Sequence, residues 1–242
     1  MENSQLILSL RALRLGGMAD ALEQQFSNPT WLEVPFEERL EAMMENEESL
    51  RKNRKIYRIL KSSNLRYHAA PEEITYTPSR NLDKALVRSL LTCQWVESGT
   101  ANLLITGATG TGKTWLACAF GMAAARRQLS VGYRRVGPLL EELEAAHHDG
   151  ERRKKQDQLR KYDLLVLDDL GLERLSHNAV IDLLNVIDDR VGRKSTVISA
   201  QMPTAKWHEY LGGGAEADAI MDRLIHTSQT LELKGPSLRA KR

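Results

Sequence analysis

The chain has 242 residues, 42% hydrophobic and 27% charged, with a formal net charge of +2 at pH 7. That length supports one substantial core with a smaller second module, and the balanced charge excludes the strongly basic composition that would by itself declare a nucleic-acid partner. Two cysteines, Cys93 and Cys118, without ligand or disulfide spacing, exclude a cystine scaffold and a cysteine-based zinc site and suit a reducing cytoplasm.

At the N-terminus Arg11 and Arg14 interrupt the apolar residues, so no secretory leader is expected, and no stretch reaches the ~18 apolar residues of a membrane span. The expectation is a soluble cytoplasmic protein. From Leu6 to Phe26 the residues Leu6, Leu10, Leu13, Met18, Leu22 and Phe26 recur at helical spacings, predicting an amphipathic helix weakened at Gly16 and Gly17. A second helix starts near Pro35, a residue suited to a first turn, and carries Phe36, Leu40, Met43, Met44 and Leu50. Its acidic half, Glu37 to Glu48, precedes a basic half, Arg51 to Arg58, the order that complements a helix dipole. A solvated charged face explains this pattern, and a basic surface for DNA or a partner protein is the other reading.

Pro71, Pro78, Ser62, Ser63 and the threonines, with little periodicity, place a linker or boundary within residues 61–80. The expected organisation is a helical module over residues 1–65, a linker over 66–80 and a core over 81–242. Residues 81–95 show one more helical pattern. Thereafter apolar runs ("NLLIT", "LSVGYRRV", "DLLVLDDL", "STVISA") alternate with helical stretches, which predicts an α/β domain with a largely parallel sheet.

The run "LLITGATGTGKT" places the P-loop pattern G-x-x-x-x-G-K-[ST] between a predicted strand and a predicted helix. Gly107, Ala108, Thr109, Gly110, Thr111 and Gly112 form a loop whose backbone N–H groups can converge on phosphates, assisted by the following helix N-terminus. Lys113 is expected to reach the β- and γ-phosphates of ATP, and Thr114 to ligate Mg²⁺. Downstream, "LLVLDDLG" reads as a buried strand ending in two carboxylates. Asp168 would hold Mg²⁺ and Asp169 would orient or deprotonate an attacking water; on a regular strand the two point to opposite faces and take different roles. Gln201, ending "STVISAQ", would face the ligand crevice at the strand's C-terminal edge.

Two basic clusters lie between the P-loop helix and the Asp168 strand: Arg134 with Arg135, and Arg152, Arg153, Lys154 and Lys155. Each could neutralise DNA phosphates without reading bases; solvated element ends are the alternative. Few aromatics accompany them, which favours duplex over single-stranded DNA.

Taken together, "LRLGGMADAL", "NLLITGATGTGKTWLACAFG", "DLLVLDDLGL", "TVISAQMPTAKWHEYLG", "ADAIMDRLIH" and "LELKGPSLR" resemble, in order, the IstB-like transposition helper proteins of the AAA+ ATPases, relatives of the DnaC-like helicase loaders. The resemblance covers nearly the whole chain. It implies a P-loop AAA+ core, ATP hydrolysis with Mg²⁺, and a homo-oligomer with ATP between subunits. Arg223 then matches the arginine finger that reaches a neighbour's γ-phosphate, and Gln201 the first sensor position. Ser237 and Arg239 match a C-terminal motif as candidates, although Pro236 departs from the acidic residue expected there and removes a backbone donor. The short stretch after the last strand leaves little room for a full helical lid.

The function implied is an ATP-dependent, DNA-binding regulator of transposition that assembles on duplex target DNA and recruits or stimulates its cognate transposase. The N-terminal module would serve self-assembly or transposase contact. The alternative is a helicase loader acting on single-stranded DNA and a replicative helicase. A small-molecule P-loop kinase and a protein using ATP as an assembly signal are competing classes, the latter because Asp169 stands where Glu is more usual.

Overall fold

The computed structural model describes residues 2–238, so the candidate Arg239 lies outside the described residues. The chain divides into two compact units, Met1–Arg58 and Ile59–Arg242.

In the first unit, α1 (Glu2–Ala12) packs on α2 (Gly16–Ser27). The interruption expected at the glycine pair falls just before it, where Arg14 takes the left-handed conformation at φ 61°. A 3₁₀ turn over Pro29–Glu33 is capped by Asn28, whose side chain accepts from Thr30 N–H at 3.1 Å. Next comes α3 (Phe36–Ser63), with Glu37 and Glu38 in its first turn, as the dipole favours. Within this unit Glu47 of α3 accepts from Gly17 N–H at 2.6 Å and Met18 N–H at 3.3 Å, satisfying donors that the first turn of α2 would otherwise leave open. Arg51 donates to the same carboxylate at 2.6 Å. That bond first, and the two amides with it, hold the Glu47 carboxyl below its ordinary value against the opposing effect of burial.

The second unit opens with the last turn of α3 and two 3₁₀ turns, Pro71–Glu73 and Pro78–Arg80. Residues 66–80 carry Ala69 and Ile74 into its core and Arg80 to the site described below. Asp83 caps α4 (Lys84–Leu91) by accepting from Ala85 and Leu86 N–H, and α5 (Gln94–Ser98) follows after Cys93, which takes φ 57° and breaks the helical pattern.

The sheet contains β1 (Asn102–Gly107), β2 (Val131–Arg135), β3 (Leu164–Leu170), β4 (Ser195–Ala200) and β5 (Ser228–Leu233), in the order β2-β3-β4-β1-β5. All its pairings are parallel. The intervening helices are α6 (Lys113–Arg126), α7 (Val136–His148), α8 (Arg152–Lys161), α9 (His177–Asp188), α10 (Trp207–Tyr210) and α11 (Gly214–Ile225). A parallel sheet needs both faces covered, which explains its near-continuous apolar strands. Leu103, Ile105, Leu164 and Val166 enter the cluster around α6, whereas Leu104, Leu165, Leu167 and Ile198 enter the one around α7 and α9. Helix α6 is buried on nearly every side, which its run of Ala, Leu, Cys, Phe and Met permits.

Near its end β3 departs from regular pairing: Leu167 and Leu170 face Ile198 and Ala200, so one extra residue is inserted in β3. Such a bulge re-aims side chains. Asp169 occupies it at φ 63°.

Candidate nucleotide-binding site

In an open parallel sheet, ligands bind beyond the C-terminal ends of the strands. Here the ends of β1, β3 and β4 deliver the P-loop, Asp169 and Gln201 to one cavity of about 580 Å³. Lys113, Thr114, Asp169 and Gln201 line it, as do Thr109, Gly110 and Gly112. Tyr67, His68, Thr75, Arg80 and Leu238 also border this cavity.

The loop conformation depends on glycine at Gly110 and Gly112, which take φ 86° and 92°. At Gly110 a Cβ would lie 2.2 Å from Ser237 Oγ, so the C-terminal motif packs directly on the loop. Leu238 N–H adds a bond to Gly110 O at 2.9 Å. Lys113 is 7% exposed and donates from Nζ to Ala108 O at 2.9 Å. Thr109 Oγ1 donates to Gln201 Oε1 at 2.9 Å, joining the end of β4 to the phosphate loop.

Asp168 is fully buried. Thr114 Oγ1 donates to its Oδ1 at 3.1 Å, Ser199 Oγ donates to the same oxygen, and Tyr133 O–H donates to Oδ2 at 2.6 Å. A buried carboxylate survives only when so satisfied. The thread from Thr114 through Asp168 is a hard-oxygen set that fits Mg²⁺ held by one hydroxyl, one carboxylate and water. Burial, and then the bond to Asp168, push the Tyr133 phenol upward, so it stays a donor. Burial likewise pushes the Cys118 thiol on α6 up to about 11.

Asp169 differs from its neighbour. The bulge turns it into the cavity, where its carboxylate lies 3.4 Å from Arg135 Nε and 3.7 Å from an Arg66 guanidinium nitrogen. Its N–H donates to Ser199 Oγ at 3.2 Å.

Other sequence candidates fall elsewhere. Arg223, near the end of α11, donates from Nε to Asp188 Oδ1 at 2.5 Å and is not among the residues bordering its own chain's cavity. Arg134 donates to Tyr133 O at 2.7 Å and lies over the Tyr162 ring, whereas Arg135 belongs with Asp169. On α8, Arg152 donates from Nε to the buried Asp182 at 2.7 Å and ties α8 to α9. Lys154 pairs with Glu151 at 3.2 Å and Lys155 donates to Glu142 O at 3.4 Å. Arg153 borders a separate basic cavity with His147 and Arg160.

Sequence reasoning missed Tyr133, Ser199, Arg66 and Arg80. A hydroxyl inside each apolar strand was the available signal for the first two; "LRY" at Arg66 matched the family without suggesting a role, and nothing marked Arg80.

Among the described residues no helix is long and apolar enough to cross a membrane. The family described as IstB-like ATP binding protein matches residues 8–242. An insertion sequence ATP-binding protein of Sinorhizobium fredii is 42% identical over 230 residues, spanning 95% of this chain and 94% of its own. One from Pseudomonas fluorescens is 42% identical over 206 residues, spanning 85% and 89%. The crystal structure of the DnaC helicase loader superposes with a TM-score of 0.60 at 21% identity, over 69% of this chain and 98% of that one. DnaA bound to AMPPCP and single-stranded DNA gives 0.59 at 19%, over 72% and 52%. At such identities the structural likeness speaks for the fold alone.

Proposed function

We propose, from the premise that the chain belongs to the family of IstB-like ATP-binding proteins, that it is the ATPase of an insertion sequence: it binds duplex target DNA as an ATP-dependent homo-oligomer and recruits or stimulates its cognate transposase. One observation carries the reading. Lys113, Thr114, Asp169 and Gln201 converge on one cavity, with Asp168 buried directly behind Thr114.

In this reading the loop amides and Lys113 would hold the phosphates, and Gln201, tethered through Thr109, would offer its amide to the terminal phosphate or the attacking water. Thr114 and Asp168 would hold Mg²⁺, which would supply positive charge to the phosphate oxygens. Asp169 accepts the proton of the attacking water. Arg223 serves the neighbouring subunit's site, where it offsets charge developing on the transferred phosphoryl group. Arg153, Lys154 and Lys155 on α8, with Arg134, are offered to DNA phosphates, and Arg152 orients that helix.

Fluorescence anisotropy of duplex and single-stranded oligonucleotides of equal length, in ATP·Mg²⁺, in ADP·Mg²⁺ and without nucleotide, tests the proposal. Tighter duplex binding with ATP, falling steeply with salt, is expected. A preference for single strands would replace it with helicase loading, and no binding under any condition would remove DNA from the mechanism.

A further inference from the structure

We propose that Arg80 is a binding and positioning residue of the nucleotide site, a buried cation at the P-loop whose charge is completed by the polyphosphate of the bound nucleotide. This rests on the ATP-binding reading and adds a residue to it.

Arg80 ends the 3₁₀ turn Pro78–Arg80 and is only 6% exposed. Its guanidinium donates to Thr75 O at 2.9 Å and to Thr111 O, within the phosphate loop, at 3.2 Å. Nε is buried and has no hydrogen-bond partner among the described residues. No carboxylate among them pairs with it, and burial pulls its pKa down. A buried guanidinium served by neutral carbonyls and short of one acceptor is an incomplete arrangement.

Other arginines of this unit show the contrast. Arg190 is 1% exposed, yet Thr196, Leu159, Tyr162 and Ser195 supply acceptors for all three of its nitrogens. Arg152 has the carboxylate of Asp182. Arg80 alone of these three borders the cavity that Lys113 and Thr114 share.

The chain holds Arg80 there deliberately. Lys234 N–H donates to Arg80 O at 3.2 Å, and Asn81 Nδ2 donates to Glu232 O at 3.1 Å, fixing the turn to β5 and the residue after it. A Cβ on Gly112 would stand 3.0 Å from the guanidinium and 3.2 Å from Leu238 Cδ1. The turn and the C-terminal motif therefore grip consecutive loop residues, Gly110, Thr111 and Gly112. An anion small enough to enter the cavity and multiply charged, such as a nucleoside polyphosphate, suits this buried cation; a DNA backbone would need it exposed.

The test is titration of full-length wild type and Arg80→Gln with fluorescent ADP and ATP in Mg²⁺ at two salt concentrations, with melting curves in the presence and absence of nucleotide. We expect affinity for both nucleotides to fall by about tenfold or more. The gap should persist at high salt, because a buried pair is screened little, and the unliganded variant should melt no lower than wild type. Unchanged affinity, or a lower unliganded melting temperature with affinity kept, overturns the proposal. If the variant loses both or does not fold, Leu238→Glu decides: a carboxylate beside the guanidinium should raise unliganded stability and weaken nucleotide binding, and unchanged binding overturns the proposal. Wild type binding neither nucleotide would defeat the ATPase reading, whereas equal binding by wild type and Arg80→Gln defeats this inference alone.

Discussion

Asp168 and Asp169 are adjacent and chemically identical, yet their surroundings differ. Asp168 receives three hydroxyl donors and is sealed from water, so its carboxylate is fixed in place, as the proposed metal-side role requires. Asp169 stands in a bulge at φ 63°, a region that short Asp and Asn tolerate better than longer side chains. This accounts for Asp where Glu is more usual, since the backbone conformation itself favours the shorter acid. Asp169→Asn should therefore keep the bulge and leave ATP affinity unchanged while hydrolysis falls by about 10² to 10⁴. Steady-state ATPase assays beside nucleotide titration check this, and hydrolysis at the wild-type rate would remove Asp169 as the base. At position 168, Tyr133→Phe leaves Oδ2 without its phenol donor. The expected cost in chemical denaturation is about 1.5–3 kcal/mol, the range for a hydrogen bond to a charged group, and an unchanged midpoint would refute that role.

Elements differ in how much of them the sequence disclosed. The P-loop was legible because strand, glycines, Lys113 and Thr114 are contiguous, and β3 because an apolar run ending in acids has few other meanings. Its bulge was not, since the extra residue exists only relative to the register of β4. Tyr133 and Ser199 meet Asp168 because β2 and β4 flank β3, an order that no local pattern encodes. Arg80 was hidden for a different reason: its segment lacks periodicity, and its partners Thr75, Thr111 and Lys234 come from three separate stretches of the chain. In the first unit, Glu47 shows a helix start satisfied by a carboxylate from another helix. Its native pKa is depressed from the ordinary 4.5, so its stabilisation is present above that value and is lost as pH falls through the depressed one. Hydrogen exchange at the Gly17 and Met18 amides should report this. Glu47→Gln should speed exchange at neutral pH by about tenfold, with the difference vanishing in acid; a constant difference across the titration would contradict the linkage.

At the scale of the whole molecule, Arg223 lies apart from its own cavity and is held by Asp188 and by Ala219 O, to which it donates at 3.1 Å. In the proposed reading an arginine so placed would serve catalysis from a neighbouring copy, and the contact would then be head-to-tail, with one subunit's α11 facing the next subunit's P-loop. That geometry has an arithmetic consequence. Arg223→Ala keeps an intact nucleotide site and Lys113→Ala keeps an intact finger, so each homogeneous variant lacks complete sites and should lose about 10³-fold or more in rate. Random mixing in equal amounts places an intact site against an intact finger at about one contact in four, and ATPase activity should recover to about a quarter of wild type. Activity must rise with total protein concentration as subunits meet. No recovery at any ratio would mean that Arg223 acts within its own chain or not at all, and the head-to-tail assembly would fall with it.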